Sequence, residues 1–266
     1  FHNGTLVHDD LQDGDEVRRG APSIWKKYGA ANAINLGDSL LLMGPQAVEK
    51  DDLSDEIKAK LYRLYSEMAA NVIRGQSLEF EVKNLSEPTK LKEMYLECIK
   101  LKTAALFATT AKGVAIIGEE SKTLQEDLYK IFLKLGAVFQ MQDDILDLFG
   151  TKGRGEEGCD IKEGKLSVLV VTYLEHNPDK FEWLKSILDK PRNETTEADI
   201  GQIKEAFVET QVLDYLALDF KTAIHEIRNN SSLQWHPELK EVAQLILDKI
   251  LAPINHRVEF STLPKI

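Results

Sequence analysis

Apolar residues recur along the chain at three- and four-residue steps, the period of a helix with one buried face. Leu61, Leu64, Tyr65, Met68 and Val72 share such a face, and Ser54 stands before them as a residue suited to capping a first turn. Leu128, Ile131, Phe132, Leu135 and Phe139 step the same way through another long segment. Between the two, after a Ser86-Glu87-Pro88 break, Met94, Ile99 and the apolar run from Leu101 to Phe107 predict a helix that ends near Gly118. Earlier, Pro22 stands where a helix can begin, and Ala30 to Met43 continues it to a stop at Gly44-Pro45. Further helices are expected from about Lys165, Phe181, Ala198, Leu213 and Glu238. No alternating strands joined by hairpin turns and no short repeat are visible, so the pattern predicts an all-α fold. Residues 150–164 form the one long glycine-rich, charged stretch, and a loop of that length in a helical domain is more often a lid or binding loop than a plain connector.

With 266 residues, one large domain is as plausible as two small ones. No run of 18 apolar residues occurs, and the richest stretch, 168–174, is too short to span a bilayer, so no transmembrane segment is expected. A net charge of -11 argues against nucleic acid as a partner. Cys98 and Cys159 stand far apart without paired spacing, which suggests neither a disulfide framework nor a zinc site and fits a reducing, cytoplasmic setting. The chain opens at Phe1, without a methionine and at a point expected to lie inside a helix, so any targeting segment is expected upstream.

The acidic residues change the picture more than their sum does. Gln140, Asp143, Asp144 and Asp147 fall at i, i+3, i+4 and i+7 of an otherwise apolar helix, and therefore on one face. Carboxylates along the edge of a buried helix repel one another and resist desolvation, so a bound cation is the simplest compensation. Asp9-Asp10-Leu11-Gln12-Asp13 repeats the spacing 134 positions earlier. The donors are all oxygen, and His8 beside Asp9 is lone and reads either as a support behind the ligands or as packing. Hard carboxylates select magnesium over zinc, and magnesium completes its shell with water and substrate phosphates. Two facing clusters therefore imply a phosphorylated substrate between them. Fixed positive charge for it stands nearby in Arg18, Arg19, Lys102, Arg154 and Lys165, with Lys162 read as a surface charge. Lys102 lies among Leu101, Ala104, Ala105, Leu106 and Phe107, and such a lysine needs an anionic partner.

These residues resemble the motifs of the trans-isoprenyl diphosphate synthases. The likeness runs through Asp9-Asp10-x-x-Asp13 with Arg18-Arg19-Gly20, then Gly75-Gln76, Lys102-Thr103, and Gln140-x-x-Asp143-Asp144-x-x-Asp147, followed by Gly158 to Lys165. The resemblance implies a single all-α isoprenoid synthase domain over 1–266, a bundle of antiparallel helices around a central cavity, without the family's N-terminal helices and their Gly-Lys-x-x-Arg element. It implies three magnesium ions, with Asp9 and Asp13 binding two, Asp143 the third, and Asp10, Asp144 and Asp147 in support. Arg18, Lys102 and Lys165 would hold an allylic diphosphate (dimethylallyl, geranyl or farnesyl) and Arg19 isopentenyl diphosphate, with Arg154 standing in for a loop lysine. Thr103 and Gln140 would place their oxygens beside the allylic cation. In the family, large side chains four and five positions before the first aspartate stop the growing chain. Here those positions are Thr5 and Gly4, and the next large side chain on a similar bearing is Phe1, which suggests a twenty-carbon product. A homodimer is also implied. Terpene cyclases resemble the chain poorly at the second cluster, head-to-head synthases differ in aspartate spacing, and non-catalytic partner subunits tend to lose one cluster.

Overall fold

The computed structural model describes residues 1–82, 90–150 and 157–255. The first helix, α1 (His2–Asp13), stops at Gly14, whose φ of 72° puts it in the left-handed region that glycine enters without strain. Strands β1 (Val17–Arg18) and β2 (Ala21–Pro22) then pair antiparallel around Arg19 (φ 53°) and Gly20 (φ 77°). Two central residues with positive φ make the tight turn that matches the twist of a two-residue hairpin. This hairpin is the one exception to the all-α expectation among the described residues. Pro22 belongs to it, and α2 (Ile24–Tyr28) begins two residues later than Pro22.

Helix α3 (Ala30–Lys50) does not stop at Gly44-Pro45 but runs through it. Proline has no N–H to give, so the carbonyl four residues back, that of Leu41, loses its helical donor. The Tyr65 hydroxyl donates to that carbonyl instead. Gly44 makes the room, since a Cβ there would lie 2.4 Å from the Tyr65 ring.

Ser54 Oγ accepts from Ile57 N at 3.3 Å and starts α4 (Asp55–Val82) where the pattern placed it. Helix α5 (Leu91–Ile99), a π-helical turn (Lys100–Ala104) and α6 (Ala105–Ile117) follow without a break. Ser121 caps α7 (Lys122–Phe149), the central helix, whose Ile131, Leu135, Val138 and Ile145 are all but inaccessible. Beyond it, a short α8 (Cys159–Lys162) occupies part of the stretch read as loop, and α9 (Val168–His176) starts at its Ser167 cap rather than near Lys165. Then come α10 (Phe181–Leu188), α11 (Glu197–Glu209), α12 (Val212–Arg228), α13 (Ser231–Trp235) and α14 (Pro237–Leu251). Apart from α13, which the periodicity did not reveal, these start within a residue of expectation; Thr196 and Asp199 form a capping box at α11.

One continuous apolar cluster joins α5, α7, α9 and the later helices, through side chains such as Leu91, Leu135, Val170, Ile203, Leu216 and Phe220. Helices α1 and α3 pack on each other beside it, and α3 buries only Ala33 and Gly37. Among the described residues no helix is long and apolar enough to cross a membrane.

Candidate active site

A cavity of about 1000 Å³ lies between α1, α4, the π-turn, α7 and the start of α9. Its wall includes the charged Asp9, Arg18, Arg19, Lys102, Asp143 and Lys165 and the apolar Phe1, Leu41, Val72, Leu106 and Phe139. Helix α1 contributes to both sets, with Phe1 and Asp9 eight residues, or roughly 12 Å, apart along it.

The π-turn presents Lys102 and Thr103 to this cavity. A π-turn widens the helix by one residue and is often found at functional sites. Two glycines make space for it. A Cβ on Gly75 of α4 would stand 2.4 Å from Lys102 N, and one on Gly136 of α7 would stand 2.6 Å from Ala104 Cα. Gly37 does the same for α1, since a Cβ there would meet the His8 ring at 2.1 Å. His8 Nε2 stands 3.2 Å from the Ile34 carbonyl, in keeping with packing, one of the two roles read for it.

The first acidic cluster is matched charge for charge. Lys102 Nζ lies 3.1 Å from Asp9 Oδ1 and 2.7 Å from Glu79 Oε2, which supplies the anionic partner the sequence called for. Arg18 Nε donates to Asp10 Oδ1 at 2.5 Å, and its Nη2 lies 3.8 Å from Asp9. Lys165 Nζ reaches Asp13 Oδ2 at 2.5 Å and Glu163 Oε2 at 2.7 Å. Burial pushes the Asp9 carboxyl up, but the Lys102 and Lys165 ammonium groups outweigh it and hold the group below its ordinary value. Asp13 goes the other way, raised by burial that Lys165 offsets only in part. Burial likewise raises Glu163 to about 7.

The second cluster divides. Asp143 faces the cavity. Asp144 sits at its edge, where its carboxylate accepts from Tyr95 Oη at 2.7 Å, Val168 N at 2.7 Å and Gln140 Nε2 at 2.9 Å. Asp147 accepts from Asp160 N at 3.0 Å. O–H and N–H donors of the protein therefore compensate part of the charge of Asp144 and Asp147. Gln140 passes the order on, its Oε1 accepting from Thr103 Oγ1 at 2.7 Å.

Of the residues singled out from sequence, Phe1, Thr5, Asp9, Arg18, Arg19, Lys102, Thr103, Gln140, Asp143, Asp144 and Lys165 line the one cavity. Asp10, Asp13 and Asp147 are not among its lining residues. Gly4 is a correction: it faces α3, where a Cβ would meet the Gly37 carbonyl at 2.9 Å and Leu40 Cβ at 3.1 Å, so it is small for helix packing. Lys162 does not line the cavity and pairs with Glu197 at 2.9 Å. Arg154 lies outside the described residues, as does the 86–88 break. Sequence reasoning gave no role to Glu79, Tyr95, Glu163 or Arg192; Glu163 lies within the Gly158 to Lys165 motif, and Glu79, three and four residues after Gly75-Gln76 on one helix face, also left a signal. Among the described residues no three Asp, Glu, His or Cys side chains converge into a ready-made metal site.

The sequence model of the polyprenyl synthetase family matches residues 1–207. The short chain isoprenyl diphosphate synthase of Methanocaldococcus jannaschii is 35% identical over 192 residues, which cover 71% of this chain and 57% of that protein. The geranylgeranyl diphosphate synthase of Methanosarcina mazei is 33% identical over 177 residues, covering 65% and 54%. The chain thus spans little more than half the length of these curated relatives. The crystal structure of a geranylgeranyl pyrophosphate synthetase from Pyrococcus horikoshii matches with a TM-score of 0.74 at 28% identity, covering 93% of this chain and 76% of that one.

Proposed function

The chain belongs to the polyprenyl synthetase family, and on that premise we propose that it joins an allylic diphosphate to isopentenyl diphosphate, head to tail. The observation that carries this reading is the cavity itself, which sets Asp9, Asp143 and the cationic side chains of Arg18, Arg19, Lys102 and Lys165 in the same enclosure as Phe1, Leu41, Val72 and Leu106. A diphosphate head with a prenyl tail matches both kinds of wall.

Asp9 and Asp13, one helical turn apart, and Asp143 across the cavity would hold magnesium, three ions in all; a carboxylate-only donor set suits that metal. When bound, magnesium neutralises the departing diphosphate and lowers the barrier to its release. Arg18, Lys102 and Lys165 do the same from the protein side. Each is shared among carboxylates at rest, and Lys165 releases Asp13 as it turns to the diphosphate. The allylic C–O bond breaks with both electrons leaving on the diphosphate. The double bond of isopentenyl diphosphate, held by Arg19, then attacks the cation and forms the new C–C bond. Its proton goes to the released diphosphate. Thr103 and Gln140, fixed by their mutual hydrogen bond, keep oxygens beside the cation, while Asp10, Asp144 and Asp147 hold the groups around them in place. The apolar walls exclude water that would quench the cation.

Thr5 is small and lines the cavity, as does Phe1, which stands edge-on to Tyr65 with ring centroids 5.5 Å apart. That supports a twenty-carbon product from dimethylallyl, geranyl or farnesyl diphosphate. We also infer a homodimer, for which Leu42 and Met43, exposed on α3, offer apolar surface, and a cytoplasmic setting, in keeping with two free, buried cysteines. The test is consumption of each allylic diphosphate with and without isopentenyl diphosphate. An elongating enzyme consumes the primer only when the acceptor is present; consumption without it would assign a cyclase instead.

A further inference from the structure

Arg192 lies between α10 and α11, away from every motif, yet its guanidinium reaches the end of α1. Its Nη1 donates to the Asp13 carbonyl at 3.0 Å, and it stands 2.9 Å from Asp15 Oδ1 and 3.2 Å from Glu163 Oε1. The other oxygen of Glu163 holds Lys165 Nζ at 2.7 Å, and Lys165 returns to Asp13 Oδ2 at 2.5 Å. The contacts close a ring, from Arg192 through Glu163 and Lys165 to Asp13 and back. It ties α1 to segments 152 and 179 positions downstream.

The ring is buried on its acidic side. The Asp13 and Glu163 side chains are each 2% exposed and that of Asp15 is 6%. Without Arg192, the buried Asp15 and Glu163 carboxylates would lose a cation that faces them, and a less compensated buried charge draws nearby cations more strongly to itself. Lys165 would be held deeper in the wall, and the Asp13 backbone would lose its anchor.

We propose that Arg192 is a positioning residue of the diphosphate site: it neutralises Asp15 and Glu163 and fixes the Asp13 backbone, which leaves Lys165 at the cavity wall, able to turn to an incoming diphosphate. This rests on the reading of the cavity as a diphosphate site. Arg192 is not among the described residues that line the cavity, so it acts through Lys165 and Asp13 rather than on substrate.

A tie that only stabilised the chain would lower the unfolding midpoint and leave ligand affinity of the folded protein intact. The test therefore uses the full-length protein and its Arg192→Ala and Arg192→Lys variants. Binding of inorganic diphosphate is measured by calorimetry with and without magnesium, beside KM for both substrates and the unfolding midpoint. Arg192→Ala is expected to weaken diphosphate binding and raise KM for the allylic substrate by about tenfold each, with KM for isopentenyl diphosphate changed by less than about threefold. Arg192→Lys, which keeps the charge but loses the fork, is expected to recover part of the loss. Folded variants with unchanged diphosphate affinity and unchanged KM overturn the proposal, whatever their midpoints. If Arg192→Ala does not fold, Arg192→Lys and Arg192→Gln decide by the same comparison. A parent protein that neither binds diphosphate nor turns over overturns the underlying reading, and this proposal with it.

Discussion

Lys102 and Asp9, 93 positions apart in the chain, meet at 3.1 Å across the cavity wall, with Glu79 2.7 Å from the same ammonium. Burial alone would push the lysine toward its neutral form, but the two carboxylates hold its pKa above the ordinary value. Lys102 therefore remains charged and ready to meet a diphosphate. Lys102→Met is expected to cut kcat by at least about a hundredfold, close to 3 kcal/mol of barrier, with Lys102→Arg recovering part of it. Steady-state kinetics on variants with matched circular dichroism checks this, and a near-normal rate in Lys102→Met would remove the residue from the mechanism.

Two adjacent aspartates should fail in different ways. Asp143 faces the cavity, so Asp143→Ala should lower turnover by at least about a hundredfold and leave the unfolding midpoint unchanged. Asp144 serves the Tyr95 hydroxyl and the Val168 N–H, so Asp144→Ala should cost about 1–3 kcal/mol of stability. Urea unfolding followed by circular dichroism separates the two; equal stability losses would contradict the division of the cluster.

Product length should respond to Thr5 and Phe1 and not to Gly4. Thr5→Phe places a ring in the cavity and is expected to shorten the product to fifteen carbons or fewer. Phe1→Ala should lengthen it. Gly4→Phe wedges α1 from α3 and should cost stability instead. Chromatographic sizing of the products decides, and unchanged length in both Thr5→Phe and Phe1→Ala would place the floor on another helix.

Glu163 predicts a pH effect. Burial raises its carboxyl to about 7 from an ordinary 4.5, with Lys165 offsetting only part of the rise. The folded state holds that proton more tightly than the unfolded chain, so the group's contribution is complete below about 4.5. It falls as pH rises toward 7 and is flat above. Relative to Glu163→Gln, which cannot titrate, the parent should lose stability between pH 5 and pH 8. Parallel denaturation midpoints across that range would show the carboxyl is not raised.

Much of the helical framework was legible because period and caps are local: Ser54 sits where its chain segment needs an oxygen at a first turn. Both aspartate clusters stood out for the same reason. What escaped depends on partners far along the chain. Pro45 reads as a stop until Tyr65 supplies the missing donor. The π-turn at Lys100–Ala104 has no mark of its own and depends on Gly75 and Gly136 pressing from either side. The further duty of Asp144 and Asp147 left no trace, because the N–H groups they serve, of Val168 and Asp160, belong to segments 24 and 13 residues on. Gly4 looked like part of a floor because sequence spacing does not say which way one face of α1 turns.

The central claim is that this cavity forms a carbon–carbon bond between two diphosphates with magnesium present. The most direct measurement follows radiolabel from isopentenyl diphosphate into product, using each allylic primer, with magnesium and after rigorous chelation. The account predicts labelled prenyl diphosphates longer than the primer by whole five-carbon units, formed only with the metal. Label that never enters a longer diphosphate, or does so equally after chelation, would contradict it.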